Sequence, residues 1–236
     1  MGLKESGLRG SLRNVSVGIA AIPDSENLHA HYDLQQQTEE DEETIDPLVD
    51  QSDNGHDADA VGSPTMDVDG FNGHPAAQLD DSNPDYWEIP SGSFETISQP
   101  YTVYVVIALA DPDNNQSILS YQSTDDEQFI MDWQAPGWRL NAESGIEISG
   151  SDDGTINQLT ALANGSNSII EEEGTETASG DAGSNALESI SIGYDAANDR
   201  RPIDGRFLEL AIYDAAHDAD TRQDWWNYAD SRWSIS

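Results

Sequence analysis

In FIMDWQAPGWRL (129–140), Trp133 and Trp138 flank a Pro-Gly turn, with Asp132 and Arg139 beside them. Flat aromatic faces next to groups that exchange hydrogen bonds with hydroxyls are what sugar recognition requires. The competing role is packing, with two indoles filling a core or stacking across a hairpin. DPDNNQS (111–117) supplies Asp111, Asp113 and Asn115 at alternate positions, hard oxygen donors of the kind Ca2+ prefers. An EF-hand loop starting at Asp111 wants Gly at 116 and Glu at 122, where Gln116 and Gln122 stand. Asx-rich turns also fold this way without metal. A bound Ca2+ or other structural cation is therefore a candidate, not a requirement.

Patterns for catalysis are weak. A retaining glycosidase needs two carboxyls about 5–5.5 Å apart, and neither ESGIEISGSDDG (143–154) nor RFLELAIYD (206–214) gives that pattern. IIEEEG (169–174) puts Glu171 and Glu173 on one strand face, which in so acidic a chain suits a solvated edge. HAH (29–31) puts His29 and His31 on one face of a strand, but a zinc centre wants a third ligand. No G-x-S-x-G elbow, P-loop or dinucleotide fingerprint occurs. The expectation is a chain that is not an enzyme, with no catalytic residue.

Strands must position these groups. YTVYVVIAL (101–109) is β-branched and aromatic, apolar on both faces, and belongs at the centre of a sheet. LHAHYDL, SILSYQS, QFIMDW, WRLNAE, IEIS, ALESISIGYD and GRFLELAIYD read as further strands. QLTALAN and SIIEEEG form a hairpin around NGSN. QQQTEEDEETID (35–46) is an acidic surface loop, and residues 50–79 are turns between short strands. Strands at this spacing predict a sandwich or barrel. HDADTRQDWWNYADSRW (217–233) predicts one helix, with Asp in its first turn and an apolar face through Trp226, Ala229 and Trp233.

The chain carries 46 acidic and 9 basic residues, a formal charge of −37, and no cysteine. So few cations make direct nucleic-acid binding untenable. Acids spread through the strands, rather than gathered in a tail, suit a protein of concentrated brine, where charge repulsion is screened within about 3 Å at molar salt. No apolar run approaches the roughly 18 residues of a membrane span. VSVGIAAI (15–22) is too short, and too interrupted by Ser16 and Gly18, for a secretory signal.

DQSDNGHDADA (50–60) resembles the D-Q-S-G-N-G-x-D-A turn of laminin-G-like, concanavalin-A-like sandwich domains. FNGHPAAQLDDSNPDYWEI (71–89) resembles that family's N-G-x-P-A segment, and DGRFLELAIYDAAHDADTRQDWWNYADSRWSI (204–235) its closing strand and helix. The chain departs from the family pattern where Asp53 replaces a Gly, Leu48-Val49 replace a Trp, and Leu79-Asp80-Asp81 replace F-D-G. The resemblance implies an all-β, jelly-roll-like antiparallel sandwich over residues 25–236 with one C-terminal α-helix. It also implies carbohydrate binding, the family's commonest activity.

SGLRGSLRNVSVG (6–18) with IPDS (22–25) resembles the start of sandwich-domain proteins of haloarchaeal tailed viruses. Lys4, Arg9 and Arg13 are three of the nine basic residues, and none follows until Arg139. Such a terminus is ordered only when something ties it down. Residues 1–24 are expected to be an extended N-terminal arm whose cations hook onto acidic copies of the chain or an acidic particle surface. The alternative is an N-terminal strand packed on its own domain. The expected whole is a virion structural and recognition protein, a capsid turret, decoration or tail fibre component on the particle surface. It would form a cyclic homo-oligomer, trimer or pentamer, contact other virion proteins, and bind host surface glycan or S-layer glycoprotein without entering a membrane. The alternative is a secreted glycan-binding module of a haloarchaeon.

Overall fold

The computed structural model describes residues 21–90, 92–110, 113–122, 129–133, 137–143, 145–147 and 157–235, the side chains of 129, 130 and 147 excepted. Among the described residues fifteen strands run in chain order: β1 Leu28–Asp33, β2 Asp59–Val61, β3 Thr65–Phe71, β4 His74–Leu79, β5 Tyr86–Glu88, β6 Tyr101–Leu109, β7 Gln116–Tyr121 and β8 Phe129–Trp133. They continue as β9 Trp138–Ala142, β10 Gly145–Glu147, β11 Asn157–Ala163, β12 Ser168–Glu172, β13 Thr175–Gly180, β14 Ile190–Ile192 and β15 Gly205–Tyr213, followed by helix α1 Ala219–Trp233. Two antiparallel sheets result. One is ordered β13-β12-β11-β6-β15-β4-β3, with β1 also on β15; the other is β10-β9-β8-β7-β14-β5-β2. The predicted β-sandwich with one C-terminal helix is the architecture observed. Strand β6 lies at the middle of its sheet, and all nine of its residues are buried.

The inner faces make one core. Trp87 on β5 meets Phe207 on β15 at 5.7 Å between ring centroids, and its indole N–H donates to Ile45 O. Trp138 on β9 donates to Glu172 on β12, joining the sheets at another edge. In the turn after Leu48, Asp53 has φ 68° where the related motif has glycine, and Asp tolerates that left-handed geometry better than most residues. Asp50 pins this turn to β1 by accepting the backbone N–H groups of His31, Ser52 and His56.

Helix α1 covers the outer face of the larger sheet. Asp218 caps it, accepting the Thr221 backbone N–H at 2.9 Å. Its buried face runs through Arg222, Trp225, Tyr228, Ala229, Arg232 and Trp233. Trp226, expected on that face, sits to its side and packs over Gly174, where an added Cβ would come within 2.9 Å of the indole. Trp225 takes the inward place instead, stacked on Tyr104 at 4.4 Å and 4°. The periodicity was obscured because two inward positions are arginines. Arg222 donates to Glu171 at 2.8 Å, and Arg232 donates to Asp33. Glu171 is therefore buried in an ion pair and not on a solvated edge. Glu173 does not share its face, because at φ 50° it lies in the turn after β12.

At the centre of this layer Glu209 on β15 is fully buried. Its carboxylate accepts from His31 Nε2 at 2.7 Å, the Tyr228 hydroxyl at 2.8 Å and the Trp233 indole N–H at 2.5 Å. Burial and the Glu209 charge push the neighbouring Asp33 carboxyl above its ordinary range, and Arg232 opposes them. A Glu209→Gln variant keeps the volume but turns an amide NH2 toward donors. It should lose about 3 kcal/mol of unfolding free energy in denaturant titration. A loss under about 1 kcal/mol would mean that Glu209 does not hold the helix down.

Candidate functional site

The paired tryptophans do not form a sugar platform. Trp133 and Trp138 are each 2% exposed, packed edge to face at 4.9 Å inside the sandwich. Alternation along β8 and β9 sends Met131, Trp133, Trp138 and Leu140 inward and turns Asp132 and Arg139 to the other face. There Asp132 is fully buried. Arg139 reaches it in a fork, Nε and Nη2 each at 2.9 Å, and Arg201 Nη1 adds a third bond at 2.6 Å. Burial lowers the Arg201 pKa and Asp132 counters it. Beside them Arg200 Nε donates to Asp195 at 2.9 Å. Ser120 and Ser191 donate to Tyr194 O, fastening this segment across β7 and β14. Asp132 and Arg139, named as sugar-binding candidates, instead pair with each other in a lock that closes the sheet face. Asp132→Ala would strand two guanidinium groups, each about 85% buried (14% and 15% exposed), and should cost about 3 kcal/mol in denaturant titration. A neutral result would contradict the lock.

The other sequence candidates are scattered. Asp113 and Asn115 are exposed in the turn before β7, while Asp111, Lys4, Arg9 and Arg13 lie outside the described residues. His29 and His31 do not share one site. The register of β1 shifts between Leu28 and Ala30, so His31 joins Glu209 and His29 stacks on His56 at 4.7 Å. Burial and the His56 ring hold the His29 imidazole below its usual pKa.

A concave site lies elsewhere, at the end of β3, β6 and β15. It is a cleft of about 390 Å3, within the range of small-molecule sites. Phe71, Leu109, Ala108, Ala110, Gly70, Gly205 and Arg206 line it. Small residues make the hollow. A Cβ at Gly205 would come within 2.2 Å of Ala108 O, and one at Gly70 within 2.9 Å of Asp67 O. The half-buried Phe71 supplies an apolar ring. Arg206 Nη2 reaches Asp67 at 3.4 Å, while its Nε is buried with no hydrogen-bond partner. A ring face beside an under-used guanidinium fork can hold a flat polar molecule, stacking one side and donating to its oxygens.

Sequence reasoning missed Phe71 and Arg206. The available signal was that Arg206 follows a Gly in DGRF, one of few cations in the chain. The pairing of DGRF with DVDGF required the sheet order.

No protein-family model and no curated protein matches the chain. Solved structures do match in fold. Domain 4 of AbnA, a GH43 extracellular arabinanase from Geobacillus stearothermophilus seen with arabinotriose, shares 18% identity at TM-score 0.56, over 84% of this chain and 98% of that one. The Trypanosoma rangeli sialidase in complex with sialic acid shares 10% at TM-score 0.63, over 90% of this chain and 34% of the sialidase. The binding domain of botulinum neurotoxin DC in complex with rat synaptotagmin II shares 11% at TM-score 0.60, over 86% and 52%. The chain thus spans about a third of the sialidase and half of the toxin domain. At these identities the likeness establishes a shared β-sandwich fold.

Proposed function

We propose that the chain is a non-enzymatic, carbohydrate-recognising β-sandwich module whose sugar site is the Phe71–Arg206 cleft. The observation that carries this reading is the buried, unpartnered Arg206 Nε beside an aromatic ring in a concave site. The arabinotriose bound to the arabinanase domain and the sialic acid bound to the sialidase support the ligand class. No carboxylate lines the cleft among the described residues, whereas glycoside hydrolysis takes two. In calorimetric titration with neutral and acidic oligosaccharides, arabinotriose and sialic acid among them, at least one should bind saturably. Phe71→Ala and Arg206→Ala should each weaken that binding at least tenfold, about 1.4 kcal/mol. Absence of binding across the panel, or variants that bind as wild type does, would refute the site.

The module's setting in this reading is the surface of a haloarchaeal virus particle, where residues 1–24 anchor it in a cyclic homo-oligomer and the sandwich meets host glycan or S-layer. The support is the cation-bearing leader on a chain of charge −37, together with its resemblance to viral sandwich proteins. A free secreted glycan-binding module is the second reading, and assembly separates the two. Ile22 packs on the core, Pro23 O accepts the Tyr213 hydroxyl, and Asp24 pairs with His217, so a deletion should stop at residue 20. Light scattering in concentrated KCl should show closed oligomers for the full chain and monomers for the shortened one. Monomers in both cases would refute self-assembly through the arm and favour the secreted module.

A further inference from the structure

His29, His56 and Glu95 come from β1, the turn before β2 and the stretch before β6, far apart in sequence. One ligand atom of each lies within 4.8 Å of the others. His56 Nδ1 stands 2.8 Å from Ser93 O. A carbonyl only accepts, so Nδ1 carries the proton, and in the neutral ring the Nε2 lone pair is free. That Nε2 is buried without a hydrogen-bond partner, as is Nε2 of His29. Two orphaned imidazole nitrogens in one cluster are costly unless something pairs with them. His56 Nε2 lies 3.4 Å from Glu95 Oε2 without forming a hydrogen bond. Two ligands about 2.0–2.1 Å from a tetrahedral Zn2+ stand roughly 3.4 Å apart, so this pair has the spacing of one edge of such a site.

The surroundings suit a dication. The Phe94 ring packs against His29 at 4.7 Å and His56 at 5.1 Å. The charges of Glu95, Asp214 and Asp50 all act on His29. Asp50 also fixes the cluster's backbone, accepting the N–H groups of His31 and His56. The Glu95 side chain is 77% exposed, which leaves an entry path. A backbone carbonyl on the far nitrogen of a ligating histidine is the usual way its ring is oriented.

We infer that His29, His56 and Glu95 form a binding site for a borderline transition-metal dication of the Zn2+ type, with a fourth position open to water or to a ligand from a partner. Imidazole donors select such ions over Ca2+ or Mg2+. The site shares no residue with the sugar cleft and stands or falls without it. The ion would tie β1 and the 50–58 turn to the segment before β6.

The test is equilibrium Zn2+ binding to the full chain after chelator treatment, with excess Mg2+ present to saturate the acidic surface. One Zn2+ should bind per chain, and saturating Zn2+ should raise the melting temperature. His56→Gln and Glu95→Gln should each weaken binding at least tenfold and abolish that rise, whereas His74→Gln should change neither. Glu95 is exposed, so its variant folds even if replacing His56 disrupts the turn. Lack of a saturable single equivalent in the wild type, or unchanged Zn2+ affinity in Glu95→Gln, would overturn the inference.

Discussion

A buried carboxylate must be surrounded by donors or it cannot stay charged, and Glu209 imposes that condition on this fold. Its two oxygens collect β1 through His31 and both ends of the last helical turns through Tyr228 and Trp233. The helix that closes the outer face of the larger sheet is thereby registered on β15. The same strand carries Arg206 three residues earlier. In an unbroken strand those positions would face opposite sides. The register shift between Phe207 and Glu209 turns both outward, with the buried Leu208 as the extra residue and its carbonyl taking the Leu34 N–H. One bulge thus sets Glu209 beneath the helix and Arg206 into the cleft.

The use of cations follows from the same electrostatics. Arg139 and Arg201 hold Asp132, Arg222 holds Glu171, Arg232 holds Asp33, and Arg200 holds Asp195; all four carboxylates are buried. A buried acid without its partner costs several kcal/mol, whereas exposed acids in salt cost little. A chain with 46 acids and nine bases therefore does best to spend arginine inside. Arg206, with a long contact to a half-exposed Asp67, departs from that pattern, and this is why the cleft stands out chemically.

Much of the scaffold was legible in the sequence. Runs such as YTVYVVIAL announce a central strand because burial on both faces leaves no alternation, and the Asp-rich start of the helix announces its cap. Orientation was less legible. Trp133 and Trp138 flank a turn, as exposed platform residues could, and only the pairing of β8 with β9 over a second sheet shows that they face inward. Trp225 and Trp226 are adjacent, and the choice between them depends on Arg222 and Arg232 counting as inward residues, which hydrophobic periodicity does not allow. The His29 cluster and the Phe71–Arg206 cleft each join segments distant in sequence, through a β-bulge in one case and sheet order in the other. Local propensity encodes neither.

The proposed sugar site lies at the end of β3, β6 and β15 and not on the smaller sheet. Amide chemical-shift mapping of the isotopically labelled chain during oligosaccharide titration tests it most directly. The account predicts the largest shifts at Gly70, Phe71, Ala108, Ala110, Gly205 and Arg206. Shifts centred on Arg139 and Arg201, with the cleft amides unmoved, would contradict it.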